Sequence, residues 1–257
     1  MAATQLARGH PPFPDSVAGQ KQAIRDAVWS RLEREGISTF PRPVRGRIPN
    51  VREAEAAAER LAQTPEWRGA RVVKVNPDAP QRGVRFRALR QHKVLLMPTP
   101  RLREGFLLLD PARLPANRLF AASSIRGAMD LAAHVDDLDD LPRIDLLVFG
   151  SVAVSPGGDR VGKGEGYAEL EFAVLRTLGR VAADVTIATT VHDAQVVETI
   201  PREPFDVTLD LICTPTRLIR VSRRGRRPNG VLWDLLPAER LADMPILADL
   251  HRQRRSP

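Results

Sequence analysis

The stretch Ile144-Asp145-Leu146-Leu147-Val148-Phe149-Gly150-Ser151-Val152 constrains this chain more than any other. Leu146 to Phe149 is apolar at every position, so neither side of such a strand can face water. That pattern belongs to a parallel sheet covered by helices on both faces. The rest of the sequence agrees, because helix-like and strand-like stretches alternate around it. Val17, Ile24, Val28 and Leu32 recur at roughly helical spacing between Ser16 and Glu35, with Gly36 as a stop. A second helix is expected from an Asn50 N-cap through Val51–Gln63, and helix is expected again over Ala121–His134 and Ala238–Leu250. Strand-like runs are Arg71–Val75, Lys93–Met97, Phe106–Leu109, Val185–Val191, Gln195–Val197, Leu209–Thr214 and Leu218–Val221. The alternation predicts an α/β layered fold with a mostly parallel sheet, whose ligands gather at the carboxyl ends of its strands.

No linker-like break interrupts the 257 residues, so one domain over 16–250 is expected. A proline- and glycine-rich stretch at 1–15 reads as a flexible arm, and 251–257 reads as a basic tail. Apolar runs are only strand-length, which excludes a membrane-spanning helix. The start of the chain runs into Gly9-His10-Pro11-Pro12-Phe13-Pro14 rather than an apolar signal segment, so a cytoplasmic location is expected. The single cysteine, Cys213, lies in an apolar run and reads as a buried structural thiol. The net charge of +8 comes with 35 arginines and only four lysines, Lys21, Lys74, Lys93 and Lys163. A positive field of this kind favours phosphate-bearing ligands or nucleic acid without choosing between them.

The sharpest local signal is Arg160-Val161-Gly162-Lys163-Gly164-Glu165-Gly166-Tyr167-Ala168-Glu169, between the buried strand and a following helix. Its alternating glycines let the backbone approach a ligand, the helix start offers free N–H groups to an anion, and Arg160 and Lys163 add charge. It is neither a P-loop nor a dinucleotide fingerprint. By itself it is equally compatible with a phosphate cradle and a plain strand-to-helix turn. Lys21 and Arg25, four apart, share one face of the first helix.

These elements, in this order, resemble the 5-formyltetrahydrofolate cyclo-ligase family. Arg160 to Glu169 is similar to the family's arginine and glycine-rich stretch, Lys21 and Arg25 to its basic pair on the first helix, and Gln195, Pro201, Asp206 and Asp210 to a downstream element. The likeness runs over residues 17 to 220 and is strongest to the ligase-like domain of methenyltetrahydrofolate synthetase domain-containing proteins. Phe40-Pro41-Arg42-Pro43, Pro98-Thr99-Pro100-Arg101, Gly150 to Val154 and Thr214-Pro215-Thr216-Arg217 carry that closer likeness.

The resemblance implies a three-layer αβα fold of the NagB/RpiA/CoA transferase-like kind. It also implies a ligase using ATP and Mg2+ to convert 5-formyltetrahydrofolate to 5,10-methenyltetrahydrofolate, with release of ADP and phosphate. Lys21, Arg25 and Arg160 would then act on the transferred phosphoryl group, and together with Gly162, Lys163, Gly164, Glu165, Gly166 and Tyr167 they would bind ATP. Glu169 and Asp206 would fall at the magnesium positions, and the partner would be a reduced folate.

The chain departs from the family at Glu169, where aspartate is usual, at Ala168, where a second tyrosine is usual, and at Glu165 inside the loop. It also lacks the folate-site glutamate between Lys74 and Lys93. Nucleotide binding is accordingly better supported than folate turnover. The alternative is a nucleotide-binding paralogue without cyclo-ligase activity, for which relatives of this branch suggest a thiamine link.

Plainer readings exist for the same residues. Lys21 and Arg25 on their own are a solvated helix face, Asp206 and Asp210 are turn residues, and Glu169 and Glu171 suit a first helical turn. His192 lacks a partnered nucleophile and reads as structural, and the five histidines lack zinc-ligand spacing. Arg220, Arg223, Arg224, Arg226 and Arg227, with Arg252, Arg254 and Arg255, could attract RNA, but no aromatic RNA-binding motif accompanies them.

Overall fold

The computed structural model describes residues 15–135, 138–222 and 225–255. Its centre is an eight-stranded sheet. The strands are β1 (Val72–Val75), β2 (Val94–Pro98), β3 (Phe106–Leu109), β4 (Ala133–His134), β5 (Leu146–Phe149), β8 (Thr186–Thr190), β9 (Leu211–Cys213) and β10 (Leu218–Arg220). Their order is β10-β9-β8-β5-β1-β2-β3-β4. The five strands from β9 to β2 run parallel, and the edges are antiparallel. β6 (Ala153–Val154) and β7 (Arg160–Val161) form a separate hairpin after β5.

The apolar run explains the layering. Leu147 and Phe149 pack to one side with Phe172, Val174 and Leu175 of α7 (Tyr167–Thr177) and with Leu247 of α9 (Pro245–Arg255), which α8 (Ala238–Asp243) precedes. Leu146 and Val148 pack to the other side with Ala58 and Leu61 of α2 (Ala54–Ala62), Trp67 of α3 (Pro65–Gly69) and Val84 and Leu89 of α4 (Arg82–Arg90). The short helices α5 (Leu119–Ala122) and α6 (Ile125–Leu131) complete that layer. The expected α/β fold is therefore present.

Helix α1 (Val17–Arg34) lies elsewhere, with Val28, Trp29 and Leu32 packed on Val152, Ala153 and Val161 of the β6–β7 hairpin. This places its basic residues at the carboxyl end of β5. The Ser16 side chain accepts from the Gly19 amide at its start, and Gly36, at φ +64°, follows its end.

Several boundaries differ from the sequence reading. Asn50 caps no helix: its Nδ2 donates to the Phe40 carbonyl, Val51 bridges to Ser38, and α2 begins at Ala54. The helix expected over Ala121–His134 is broken at Ser123 and Ser124, because both hydroxyls bond backbone carbonyls three residues earlier, and Ala133–His134 becomes an edge strand. Gln195–Val197 is a short helical turn plus a single bridge, since the Gln195 side chain folds back to the His192 amide. The last helix breaks at Met244, before Pro245, and α9 continues to Arg255, so residues 251–255 are helix rather than tail. The arginine-rich α4 was not anticipated. The arm expected at 1–15 lies outside the described residues apart from Asp15.

Candidate functional site

The strand order reverses direction at β1, which neighbours β2 on one side and β5 on the other. The crevice beyond their carboxyl ends is the natural ligand position in such a sheet. The hairpin, the glycine loop and α1 all meet there.

Lys21, 5 % exposed, donates to Glu203 Oε2 at 2.7 Å and to both Asp206 oxygens, at 2.8 and 2.6 Å. One turn along, Arg25 Nε donates to the Gly162 carbonyl at 2.7 Å, which fastens the glycine loop to α1. Burial lowers the Arg25 guanidinium from its ordinary value, against the opposing pull of Glu169, Glu203 and Asp206. Arg160, on β7, pairs with Glu169 and donates from Nη2 to the Gly150 carbonyl at 3.0 Å. Its buried Nε has no hydrogen-bond partner. Burial raises the Asp206 carboxyl above its ordinary value, an effect larger than the attraction of Lys21, and neighbouring Glu169 adds to it.

The loop itself turns through Gly164 at φ +104°, a conformation side-chain-bearing residues rarely adopt. Gly166 stands at the N-cap of α7 with no side-chain oxygen to bond the first amides. Lys163 pairs with Glu165 at 2.7 Å, so the negative charge inside the loop is met by its own neighbour. Arg240 of α8 donates to the Glu165 carbonyl at 2.6 Å and lies 4.9 Å from the Tyr167 ring centroid. The structure thus gathers Lys21, Arg25, Arg160, Glu169, Asp206 and the glycine loop at one end of the sheet. Asp210 is held apart, accepting from the Ile187 amide at 2.8 Å and pairing with Arg227 at 2.6 Å.

Beneath this cluster lies a buried pair that the sequence did not announce. Lys74 of β1, fully buried, pairs with Glu171 of α7 and donates to Asn76 Oδ1 at 3.1 Å. Lys74 Nζ and Arg160 Cζ lie 4.9 and 5.1 Å from the Phe149 ring centroid. Asp78, in the loop after β1, lies over Gly150: a Cβ there would come within 2.8 Å of Asp78 Oδ2 and 3.2 Å of Gln81 Oε1. Burial raises the Asp78 carboxyl above its ordinary value, with Lys163 and Arg85 opposing. Gln81 Oε1 is buried without a partner. Asp78 and Arg240 are residues that sequence reasoning missed. Asp78 had a positional signal, since it follows a central strand, whereas Arg240 reaches the loop only through the tertiary fold.

Cys213 and His192 both sit in structural settings. Burial pushes the Cys213 thiol up to about 12, and His192 Nδ1 accepts from the Ala194 amide at 3.0 Å as a turn cap. A cleft of cations, main-chain amides and carboxylates is suited to holding and neutralising a polyanion.

A profile of the 5-formyltetrahydrofolate cyclo-ligase family matches residues 17–215. The chain belongs to this family. It is 42% identical over 238 residues to the methenyltetrahydrofolate synthase domain-containing protein of Bos taurus, covering 91% of this chain and 62% of that one. The Homo sapiens protein of the same description is 38% identical over 242 residues, covering 92% and 63%. The chain thus spans somewhat less than two thirds of the length of these relatives. Among solved structures, the NMR structure of Aquifex aeolicus 5,10-methenyltetrahydrofolate synthetase matches with a TM-score of 0.51 at 21% identity. That match covers 81% of this chain and 95% of the other and is a likeness of fold.

Within the cyclo-ligase fold a divalent cation can be tested against the donors present. No three His, Cys, Asp or Glu side chains converge into a metal cage among the described residues. Glu169 and Asp206 are hard oxygen donors, each already neutralised by a cation. Such a pair suits a magnesium ion that fills most of its shell with water and phosphate oxygens. Of the arginine-rich stretch, Arg220 pairs with Glu66 at 2.6 Å and Arg227 with Asp210, while Arg223 and Arg224 lie outside the described residues. No described helix is long and apolar enough to cross a membrane.

Proposed function

We propose that this cyclo-ligase family member binds MgATP between α1 and the glycine loop and uses it to close 5-formyltetrahydrofolate to 5,10-methenyltetrahydrofolate. The observation that supports the reading is that Arg25 bonds the glycine loop at Gly162 and Arg160 lies against it, with Lys21 one turn before Arg25 and paired to Asp206. The formyl oxygen attacks the γ-phosphorus and ADP leaves. N10 of the folate then adds to the activated carbon, and the C–O bond breaks as phosphate leaves, taking up the N10 proton. No covalent step falls on the protein, so its residues contribute position and charge.

Lys21 and Arg160 leave their carboxylate partners to meet the phosphoryl oxygens, and Arg25 holds the loop while presenting its remaining donors. Glu169 and Asp206, once released by those cations, would be the residues to hold a magnesium ion, which would supply charge neutralisation at the phosphates. Asp78 supplies the carboxyl on the substrate side, where the family's glutamate is missing, and the raised affinity of that carboxyl for its proton suits a hydrogen-bonding role.

Isothermal titration with MgATP tests the first half of the reading, and Lys21→Ala or Arg160→Ala should weaken binding at least tenfold. Unchanged affinity in both variants sinks the assignment. Methenyltetrahydrofolate absorbance after addition of 5-formyltetrahydrofolate and MgATP tests the second half. Nucleotide binding without that signal selects the paralogue reading, which Ala168 and the shorter Asp78 carboxyl favour. RNA retention that falls steeply with salt would instead favour the polyanion surface.

A further inference from the structure

The cyclo-ligase profile matches residues 17–215, yet one contact that shapes the glycine loop comes from beyond them. Arg240 of α8 donates from Nη2 to the Glu165 carbonyl at 2.6 Å and lies 4.9 Å from the Tyr167 ring centroid. We infer that Arg240 is a positioning residue, which sets the Glu165–Gly166 peptide so that the Gly166 N–H stays open to a phosphate oxygen, an assignment that rests on the nucleotide reading above and extends its machinery beyond the matched residues.

The segment that carries Arg240 is fastened at the far end of α7 and returns to its start. Arg176 donates to Asn229 Oδ1, and the Val231 amide donates to Thr177 Oγ1 at 3.1 Å. Gly230, at φ +139°, lies so close that a Cβ there would come within 2.8 Å of the Thr177 hydroxyl oxygen. Further on, Leu236 and Leu241 pack on the same core cluster as Tyr167, and Met244 and Leu247 are buried in it. Trp233 and His251, with ring centroids 5.2 Å apart, tie the two ends of the segment together. Arg240 therefore stands on a frame with its own anchors, and its side chain can be changed without unpacking that frame.

The effect on the loop follows from peptide geometry. In a trans peptide the C=O and the following N–H point to opposite sides, so a donor bound to the Glu165 carbonyl turns the Gly166 N–H away from that donor. Among the described residues the amides of Gly164, Glu165 and Gly166 donate to no carbonyl. Gly164 at φ +104° and Gly166 at φ +71° leave this stretch with more rotational freedom than other residues would, and a contact from outside has to select one setting. Arg25 makes the corresponding contact at the Gly162 carbonyl. The loop is thus held near both ends, by α1 within the matched residues and by α8 outside them.

Titration calorimetry of the whole chain with MgATP compares the wild type with Arg240→Ala, Arg240→Lys and Arg254→Ala. Hydrogen exchange read by mass spectrometry follows the peptide over 162–167 in the same proteins without nucleotide. Arg240→Ala should bind MgATP about tenfold more weakly, as for the loss of one hydrogen bond from a charged donor, and should exchange its loop amides about fivefold faster. Arg240→Lys keeps a charged donor for the carbonyl and should recover most of both. Arg254, whose guanidinium lies 5.9 Å from the Trp233 ring centroid at the far end of the segment, is the control, and Arg254→Ala should match the wild type in both. Wild-type affinity in Arg240→Ala overturns the inference and leaves the proposed reaction standing. A loss that Arg240→Lys does not recover, or that Arg254→Ala shares, also overturns it, because packing of the segment rather than the bond to Glu165 would be responsible. A wild type that binds no MgATP removes the nucleotide reading instead, and unchanged exchange in Arg240→Ala then removes the hold on the loop as well.

Discussion

Two buried arginines on the same molecule are treated in opposite ways. Arg85 of α4, 1 % exposed, spends its donors on the fold: Nε bonds the Ser123 carbonyl at 2.7 Å and Nη1 the Asp78 carbonyl at 2.9 Å, with Asn76 also accepting. Arg160, 4 % exposed, has a carboxylate, one carbonyl and an Nε with nothing to bond. The first arginine is a brace between the β1–α4 loop and α5, and its neighbours are carbonyls that cannot leave. The second is paired to a side chain that can move. Equal burial therefore says nothing about role, whereas the identity and completeness of the partners does.

The comparison can be broken by substitution. Arg85→Met takes the side-chain donor from the buried Asn76 and Ser123 carbonyls, each costing about 1–3 kcal/mol, so we expect the largest stability loss there, roughly 2–6 kcal/mol by denaturant titration. MgATP affinity per folded molecule should remain close to that of the wild type. A loss under about 1 kcal/mol would mean that the brace is replaceable.

Glu171→Leu leaves Lys74 buried without its counter-charge and should cost about 3–5 kcal/mol, of which the double change Lys74→Met/Glu171→Leu should recover most. Failure to recover would show that the pair is tied to the site above it through Phe149. Arg160→Met should cost less stability than either change while losing most of the nucleotide affinity, the inverse of Arg85→Met. Equal stability losses at Arg85 and Arg160 would erase the distinction.

Cys213 gives a smaller effect. With its thiol pushed up to about 12 by burial, it should resist iodoacetamide at neutral pH until the chain is unfolded, as followed by mass spectrometry. Labelling of the folded protein would show that the sheet opens at β9.

Asp78 gives the smallest. Its folded carboxyl keeps a proton at pH values where the unfolded chain has lost it. The folded state then binds more protons, so this group makes stability fall as pH rises from about 4 until the raised value is passed. Asp78→Asn should flatten that part of the profile of denaturation midpoint against pH.

Much of this arrangement was legible beforehand. The run at Leu146–Phe149 announced a strand buried on both faces, and the faces are now seen to be served by α7 on one side and α2 and α4 on the other. Lys21 and Arg25 could be placed on one helical face because their spacing is one turn. The α4 segment was not legible, since its short apolar face of Val84, Ala88 and Leu89 is interleaved with Arg82, Arg85, Arg87 and Arg90, and only the fold shows Arg85 buried as a brace. Gln195 was read as strand because nothing local reveals that its side chain bonds the Ser151 and Val152 carbonyls, at 3.0 and 3.1 Å. Asp78 was not legible as a site residue, because its place over Gly150 comes from the packing of the loop after β1 against the end of β5.

By itself the sequence determined the layering and the candidate basic residues, because periodicity, composition and spacing are properties of short stretches. Tertiary structure alone decided which charges meet. Lys21 finds Asp206 across 185 positions and Lys74 finds Glu171 across 97, and only the packing of α1 on the hairpin and of α7 on the sheet brings those partners within reach. Ion pairs form over a few ångströms, and chain separation carries no information about them until the backbone is folded.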